Sequence, residues 1–475
     1  MLAIGDIPKE EHDVIVIGCG LAGLASALSA YENGVEVVIV EKATRALAGG
    51  SGRFTDGVIR SVIKEPSSEK NPHTGIYSEE DFYDDLMKTT KGMCDPELAE
   101  TLVKNSASAL DWLLNFGVEW DIPRPGGPGR RTAKGGGEGL VETLISAAEK
   151  RGIKILYETR AIKLIVDKYM NVIGVRVLTK NGLLDLMGKA VILASGGFQA
   201  NPEMRTKYLG ETAGLIQIVR GTRHATGEGI MMALEIGAQP YGHWGGFHTA
   251  PIDARSPKLE CGVTNIRGFE YGILVNIYGE RFVDEGENYY DLIYVDVAHK
   301  IIKQPGNLAF SIFDQKIKHL ALIHWAGSEA IVADTLKELA ERLGILYPER
   351  FEKTVNEFNA AVQPGEFNPK KLDGKCTIGI EPPKSNWAVP IDTPPYVSYP
   401  LTGGITFTFG GLRINTNAEV LNITGKPIPG LYAVGELTGG FFYHSYPGGS
   451  GITRNLVFGR IAGKNAAERA KCQKT

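Results

Sequence analysis

The chain has 475 residues, 43% hydrophobic and 22% charged, with a formal net charge of -4. That composition fits a globular protein of two or three domains with a large core, and it carries no basic run interleaved with aromatic residues that would suit nucleic acid. Five cysteines, at 19, 94, 261, 376 and 472, stand too far apart for CxxC pairs, so disulfides, zinc, iron-sulfur clusters and c-type haem lack support.

The N-terminal "MLAIGDIPKEEHD" has acids where a secretory leader is basic, and the expectation is a cytoplasmic protein without a membrane span. Val14 to Ala30 is apolar but holds Gly18, Gly20 and Gly23, and reads as a strand followed by a helix. "DVIVIG" has the texture of a buried parallel strand, Leu21 to Asn33 that of a helix closed by Gly34, and "VEVVIVE" that of a second strand ending in Glu41. This strand, G-x-G-x-x-G, helix, strand, acid unit binds dinucleotides for stated reasons. Gly18 permits the tight turn, Gly20 lets backbone N–H groups approach a pyrophosphate, Gly23 lets the helix pack on the strand, and Glu41 accepts from a ribose. NAD, NADP and FAD all use the unit.

"YSEEDFYDD" opens an exposed helix. "KRGIKILYETRAIKLIVDKYMNVIGVRV" reads as a strand and then a hairpin turning at "DKYMN", and "GKAVILASGGFQAN" as another buried strand. "YGILVNIYGERFVDE" reads as a strand pair, and "SEAIVADTLKELAERLGI" and "PERFEKTVNEFNAAV" as helices. A Pro- and Gly-rich stretch, 363–395, suits a hinge, and "IPGLYAVGELTGG" is a returning strand. The expected fold class is therefore α/β: a discontinuous Rossmann-type dinucleotide domain over 12–240 and 402–470, with an inserted α+β capping domain, the substrate domain, over 241–401.

"DVIVIGCGLAGLASA", "VVIVEKA", "AGGSG", "VILASGGF", "ATGEGIMMALEIGA", "GILVNIYGERFVDE", "FGGLRIN" and "IPGLYAVGELTGG…GGSGIT…VFGRIAG" follow one another along nearly the whole chain. In that order they resemble the fumarate reductase and succinate dehydrogenase flavoprotein superfamily. The segments at 77–107 and "YPGGSG" are most similar to its tricarballylate dehydrogenase branch, and "HSYPG" also resembles the 3-ketosteroid dehydrogenases. The resemblance implies bound FAD and hydride transfer across an alkane–alkene bond. It matches Gly18, Gly20, Gly23 and Glu41 to the adenosine diphosphate site, Gly50 and Ser51 to the flavin-proximal loop, and Glu436 to the acid of the ribityl chain. It matches Gly451 and Ile452 to the amides facing the flavin pyrimidine, and further sets Lys42, Gly52, Ala161, Ala194, Gly196 and Gly435 against the cofactor. "RALAGGSG" lacks the histidine to which succinate dehydrogenases attach their flavin, which implies non-covalent FAD.

For chemistry, the resemblance implies that Tyr446 polarises a substrate oxygen, with Arg267, His248 or Tyr290 moving the proton. Each of the four also has a packing reading, as a buried ring, a core histidine or a paired arginine. Thr406 and Phe407 stand near "FGG", and Tyr446 stands where dicarboxylate members keep an arginine, whereas Arg53, Arg60, Arg220, Arg223 and Arg267 offer cations for a polycarboxylate. Two substrate classes stay open, tricarballylate or a related small carboxylate and a cyclic ketone of steroid type, and so does a non-catalytic electron-transfer subunit. Without a cluster or haem motif, the flavin exchanges electrons with an external partner: a separate protein, a quinone or oxygen.

Overall fold

The computed structural model describes residues 7–69, 71–123, 127–323 and 327–473. The chain divides into two compact units, one formed by Met1–Gly210, Gly221–His248 and Phe407–Thr475, the other by Glu211–Arg220 and Thr249–Thr406.

The first unit is built on an eight-stranded sheet. Strand β1 (Lys9–Ile17) has its last five residues, DVIVI, buried, as an apolar run between two parallel neighbours must be. It pairs in parallel with strand β2 (Val37–Val40) on one side and with Gly182–Leu193 on the other. Lys154–Leu156 extends the sheet beyond β2, and Pro427–Ala433 returns from the far end of the chain to lie parallel beside Val191–Leu193. The hairpin of Arg160–Val166 and Val172–Thr179 turns at Asp167, whose carboxylate accepts from the N–H groups of Tyr169 and Asn171.

Helix α1 (Leu21–Glu32) connects β1 to β2 and is buried along almost its whole length. The C-terminal helix Ser450–Cys472 packs against it at backbone distance. A Cβ on Gly459 would stand 2.7 Å from the Ala25 Cβ, and one on Gly463 only 2.3 Å from the Ser26 carbonyl. The acid-rich segment is the helix Glu79–Thr89, opened by a capping box of Ser78 and Asp81.

The second unit holds a five-stranded antiparallel sheet in which Ala309–Phe313 lies between Ile273–Asn276 and Tyr396–Thr408. Two expectations change here. "YGILVNIYGERFVDE" forms one strand, with a single bridge from Val275 to Arg281, because the Asn276 side chain closes the turn on the N–H groups of Tyr278 and Glu280. Arg281 is then drawn to Glu285 and the Pro382 carbonyl. In "SEAIVADTLKELAERLGI" only Leu336–Leu343 is helical; Ile331–Ala333, β-branched at its start, pairs with Tyr396–Ser398, and Thr335 caps the helix behind it. Pro348–Ala361 is a helix as expected. Among the described residues no helix is long and apolar enough to cross a membrane, and no group of three or more His, Cys, Asp or Glu is placed to hold a metal.

Candidate active site

The turn after β1 opens on a cavity within the first unit. Gly18, at φ +107°, makes the turn, and a Cβ there would lie 2.6 Å from the Ala194 carbonyl. Gly23 sits one helical turn on, where a Cβ would lie 1.9 Å from the Gly18 carbonyl, so the helix approaches the loop as closely as backbone allows. Gly20 and Gly50 face each other, a Cβ on Gly50 falling 3.3 Å from the Gly20 Cα, and together they leave a cradle of bare backbone.

Of the positions expected to meet a cofactor, Gly18, Gly20, Glu41, Lys42, Gly50, Ser51, Gly52, Ala161, Ala194, Gly196 and Glu436 all line this cavity. Gly23, Gly435, Gly451 and Ile452 stand outside that lining. Gly435, at φ +80°, abuts Ala22, and Ile452 is buried. Glu41 does more than the sequence indicates: its two oxygens accept from the N–H of Cys19 and of Ala43, both at 2.7 Å, so the acid holds the glycine turn in place. Lys42 donates to Thr226 at 2.6 Å and to Glu228 at 2.9 Å. Those bonds, from Thr226 and then Lys42, outweigh burial and hold the Glu228 carboxyl below its ordinary range.

One part of the cavity lining is organised by Glu436. Its carboxylate accepts from the Thr408 N–H at 3.0 Å and from the Gln199 amide at 3.2 Å, and burial raises its pKa against those bonds and the Arg454 charge. Gly197 makes this possible, since a Cβ there would meet the Glu436 oxygen at 2.3 Å. Sequence reading missed Ser195 and Asn455, which line the same cavity with a buried Ser195 hydroxyl and a buried Asn455 carbonyl oxygen that lack protein partners. A glycine cradle, flanking acids and polar atoms awaiting partners fit a dinucleotide such as FAD.

Tyr446 lies in the loop that leads into the C-terminal helix. Its ring meets those of His248 at 5.0 Å, Phe407 at 5.0 Å and Phe442 at 5.4 Å, all edge-on. The loop is held from beneath by Arg60. Its Nε donates to the Gly448 carbonyl at 2.9 Å, and a terminal nitrogen donates to the Pro128 carbonyl at 3.1 Å. Thr453 returns a hydrogen bond to the Arg60 carbonyl. Arg454, fully buried, lies 4.9 Å over Phe442; burial lowers its pKa to about 10, and the nearby Glu436 and Tyr446 support its charge.

In the second unit Arg267 and Tyr290 come together, the guanidinium 4.8 Å over the phenol ring. The Tyr290 hydroxyl accepts from the Asn265 amide at 3.1 Å, and burial pushes its pKa up to about 12 despite Arg267. The structure thus makes two pairs of the four candidate catalytic residues, Tyr446 with His248 and Arg267 with Tyr290. The arginines proposed for a polycarboxylate are largely committed elsewhere. Arg53 bonds the Ala48 carbonyl, Glu138 and Glu142, Arg60 holds two carbonyls, and Arg220 bonds the Gly262 carbonyl, Thr406 and Asn265.

A parallel sheet with a glycine turn, an acid ending the second strand and a closing strand from the far end of the chain defines a dinucleotide-binding oxidoreductase. The chain belongs to the FAD binding domain family, whose model matches residues 13–452, and is an FAD-dependent oxidoreductase of the fumarate reductase type. It is 32% identical to a probable fumarate reductase of Shewanella frigidimarina over 98% of this chain and 77% of that protein. It is also 32% identical to a urocanate reductase of Eggerthella lenta over 96% and 75%. The open conformation of a flavocytochrome c3 fumarate reductase superposes with TM-score 0.77 at 29% identity, covering 98% of this chain and 79% of that one. A 3-ketosteroid delta1-dehydrogenase from Sterolibacterium denitrificans shares the fold, with TM-score 0.76 at 20% identity over 96% and 99%.

Proposed function

We propose that this enzyme reduces, or in reverse forms, a carbon–carbon double bond next to a carbonyl or carboxyl group, with Tyr446 donating its hydroxyl hydrogen to the substrate oxygen. The observation that carries the reading is the position of Tyr446: its loop is locked by Arg60, its ring is fixed by His248 and Phe407, and Arg454 connects it electrostatically to Glu436 in the cavity lining. Bound FAD supplies hydride donation or acceptance at carbon. A hydrogen bond to the substrate oxygen draws electrons from the double bond, so that one carbon accepts hydride and its neighbour a proton; in the opposite direction both leave.

For the proton we propose Tyr290. Its phenol carries a proton at neutral pH, and the cation of Arg267 over the ring opposes the effect of burial and stabilises the anion left after transfer. His248, buried and edge-on to Tyr446, is a positioning residue in this scheme. The cofactor positions named above hold FAD without a covalent bond, because the 46–52 loop contains no histidine or cysteine and the Cys19 thiol is pushed well above its ordinary pKa by burial. A small carboxylate such as tricarballylate or its alkene, or a cyclic ketone, meets the substrate requirement, and a separate protein, a quinone or oxygen exchanges electrons with the flavin. We place the enzyme in the cytoplasm.

The test is anaerobic. Tyr446→Phe removes one hydroxyl and should retain FAD, released as free yellow flavin by acid precipitation, while flavin oxidation by an alkene substrate slows roughly 100-fold, the cost of one donor to a developing oxyanion. Unchanged kinetics would remove Tyr446 from the mechanism.

A further inference from the structure

Around the Tyr446 ring the first unit presents other rings. Thr408 holds Glu436 through its backbone N–H, and the residue before it, Phe407, is only half-buried. The Phe407 ring lies 5.3 Å from His248, stacked at 19°, and 5.3 Å from Phe409. It stands at 89° to Tyr446 and at 69° to Phe442, whose centroid is 6.1 Å away. Arg454 is the cation beside this group, yet it is 3% exposed, seated over Phe441 and Phe442, and already balanced by Glu436. Arg60, which holds the same loop, is occupied by two carbonyls.

This arrangement has a chemical preference. The face of a phenyl ring carries negative charge density, so a carboxylate set against Phe407 loses water and gains no donor, whereas a flat conjugated ring gains stacked or edge-on contacts. We infer that the substrate brings a planar, conjugated ring, rather than a second carboxylate, to Phe407, and that Phe407 is a specificity-determining residue. The inference rests on the reading of Tyr446 given above and narrows its substrate class to aryl-substituted or cyclic unsaturated carbonyl compounds.

Cinnamate and fumarate test it, because both are acrylates and they differ only in carrying a phenyl ring or a carboxylate on the β-carbon. Holoenzyme is reduced anaerobically with dithionite and mixed with each, and with cis-aconitate, and the return of the oxidised flavin spectrum is followed. Cinnamate should oxidise the flavin with a second-order rate constant at least tenfold above either polycarboxylate. Phe407→Leu, which keeps an apolar side chain but not the ring, should lower the cinnamate constant roughly fivefold, the scale of one aromatic pair, and Phe407→His should shift the ratio toward fumarate. Should the leucine variant fail to hold FAD, inhibition of the unaltered enzyme by 3-phenylpropanoate relative to succinate supplies the same ratio. A cinnamate-to-polycarboxylate ratio below ten overturns the role of Phe407 and leaves the proposed function standing. If none of these alkenes, nor 2-cyclohexenone, oxidises the flavin, the reading of Tyr446 fails, and this inference fails with it.

Discussion

Replacing Arg60 with methionine isolates the contribution of the floor beneath the Tyr446 loop. The side chain is 9% exposed and donates to two backbone carbonyls, Gly448 at 2.9 Å and Pro128 at 3.1 Å. Methionine fills a similar volume but donates nothing, so both carbonyls lose a charged donor, at about 1–3 kcal/mol each. The contact with Asp85, 3.5 Å away and 45% exposed, adds little. Tyr77 still donates to Asp85 at 2.6 Å and keeps that wall closed. The sum is a loss of about 3 kcal/mol, which at a urea dependence of a few kcal/mol per molar moves the midpoint down by roughly 1 M. The assay is urea titration of the holoenzyme followed by the fluorescence of released flavin, with turnover measured beside it. The midpoint should fall and turnover should fall with it, because Tyr446 precedes Gly448 by two residues. An unaltered midpoint and unaltered turnover would show that Thr453 and the packing of Gly449 against Ile59 hold the loop unaided, and the argument from Arg60 would be wrong.

Two further outcomes follow from buried geometry. Gly23→Ala forces a methyl to 1.9 Å from the Gly18 carbonyl and 3.3 Å from the Ala194 Cβ, so the glycine turn must move; the purified variant should lack the flavin band near 450 nm, and a fully yellow protein would contradict the close packing. Glu270 is held up to about 7 by burial, above its ordinary 4.5, so its contribution to stability is complete below about 4.5 and is lost as pH rises through about 7. Glu270→Gln cannot ionise and should become the more stable protein above pH 7, by up to about 3 kcal/mol, with no such advantage at pH 4.5; thermal melts at both pH values check the sign.

The elements legible in the sequence were those whose residues dictate their own surroundings. An apolar run followed by glycines at the spacing of Gly18, Gly20 and Gly23 has few ways to fold, and β1, α1 and β2 all form there, although β1 begins earlier, at Lys9, and β2 is confined to Val37–Val40. The glycines of the cavity lining were legible for the same reason, since bare backbone marks a phosphate cradle. Contacts made by residues distant in sequence were not. Ser195 and Asn455 reach one cavity from strand and helix ends 260 positions apart, and no local pattern distinguishes them from ordinary polar residues. The arginines misled for a related reason: a guanidinium reads as a free cation in sequence, and only the fold reveals that Arg53, Arg60 and Arg220 spend their donors on carbonyls and acids. The strand at Ile331–Ala333 escaped because its partner, Tyr396–Ser398, lies more than 60 residues away.

The glycines that let the last long helix settle onto α1 also set a timetable. Because Gly459 and Gly463 lie against Ala22, Ala25 and Ser26, the phosphate-binding turn leaves the ribosome more than 400 residues before this part of its backing is made. Vitamin capture should therefore be a late event in the life of the polypeptide, and a chain truncated before the final helix should be recovered colourless.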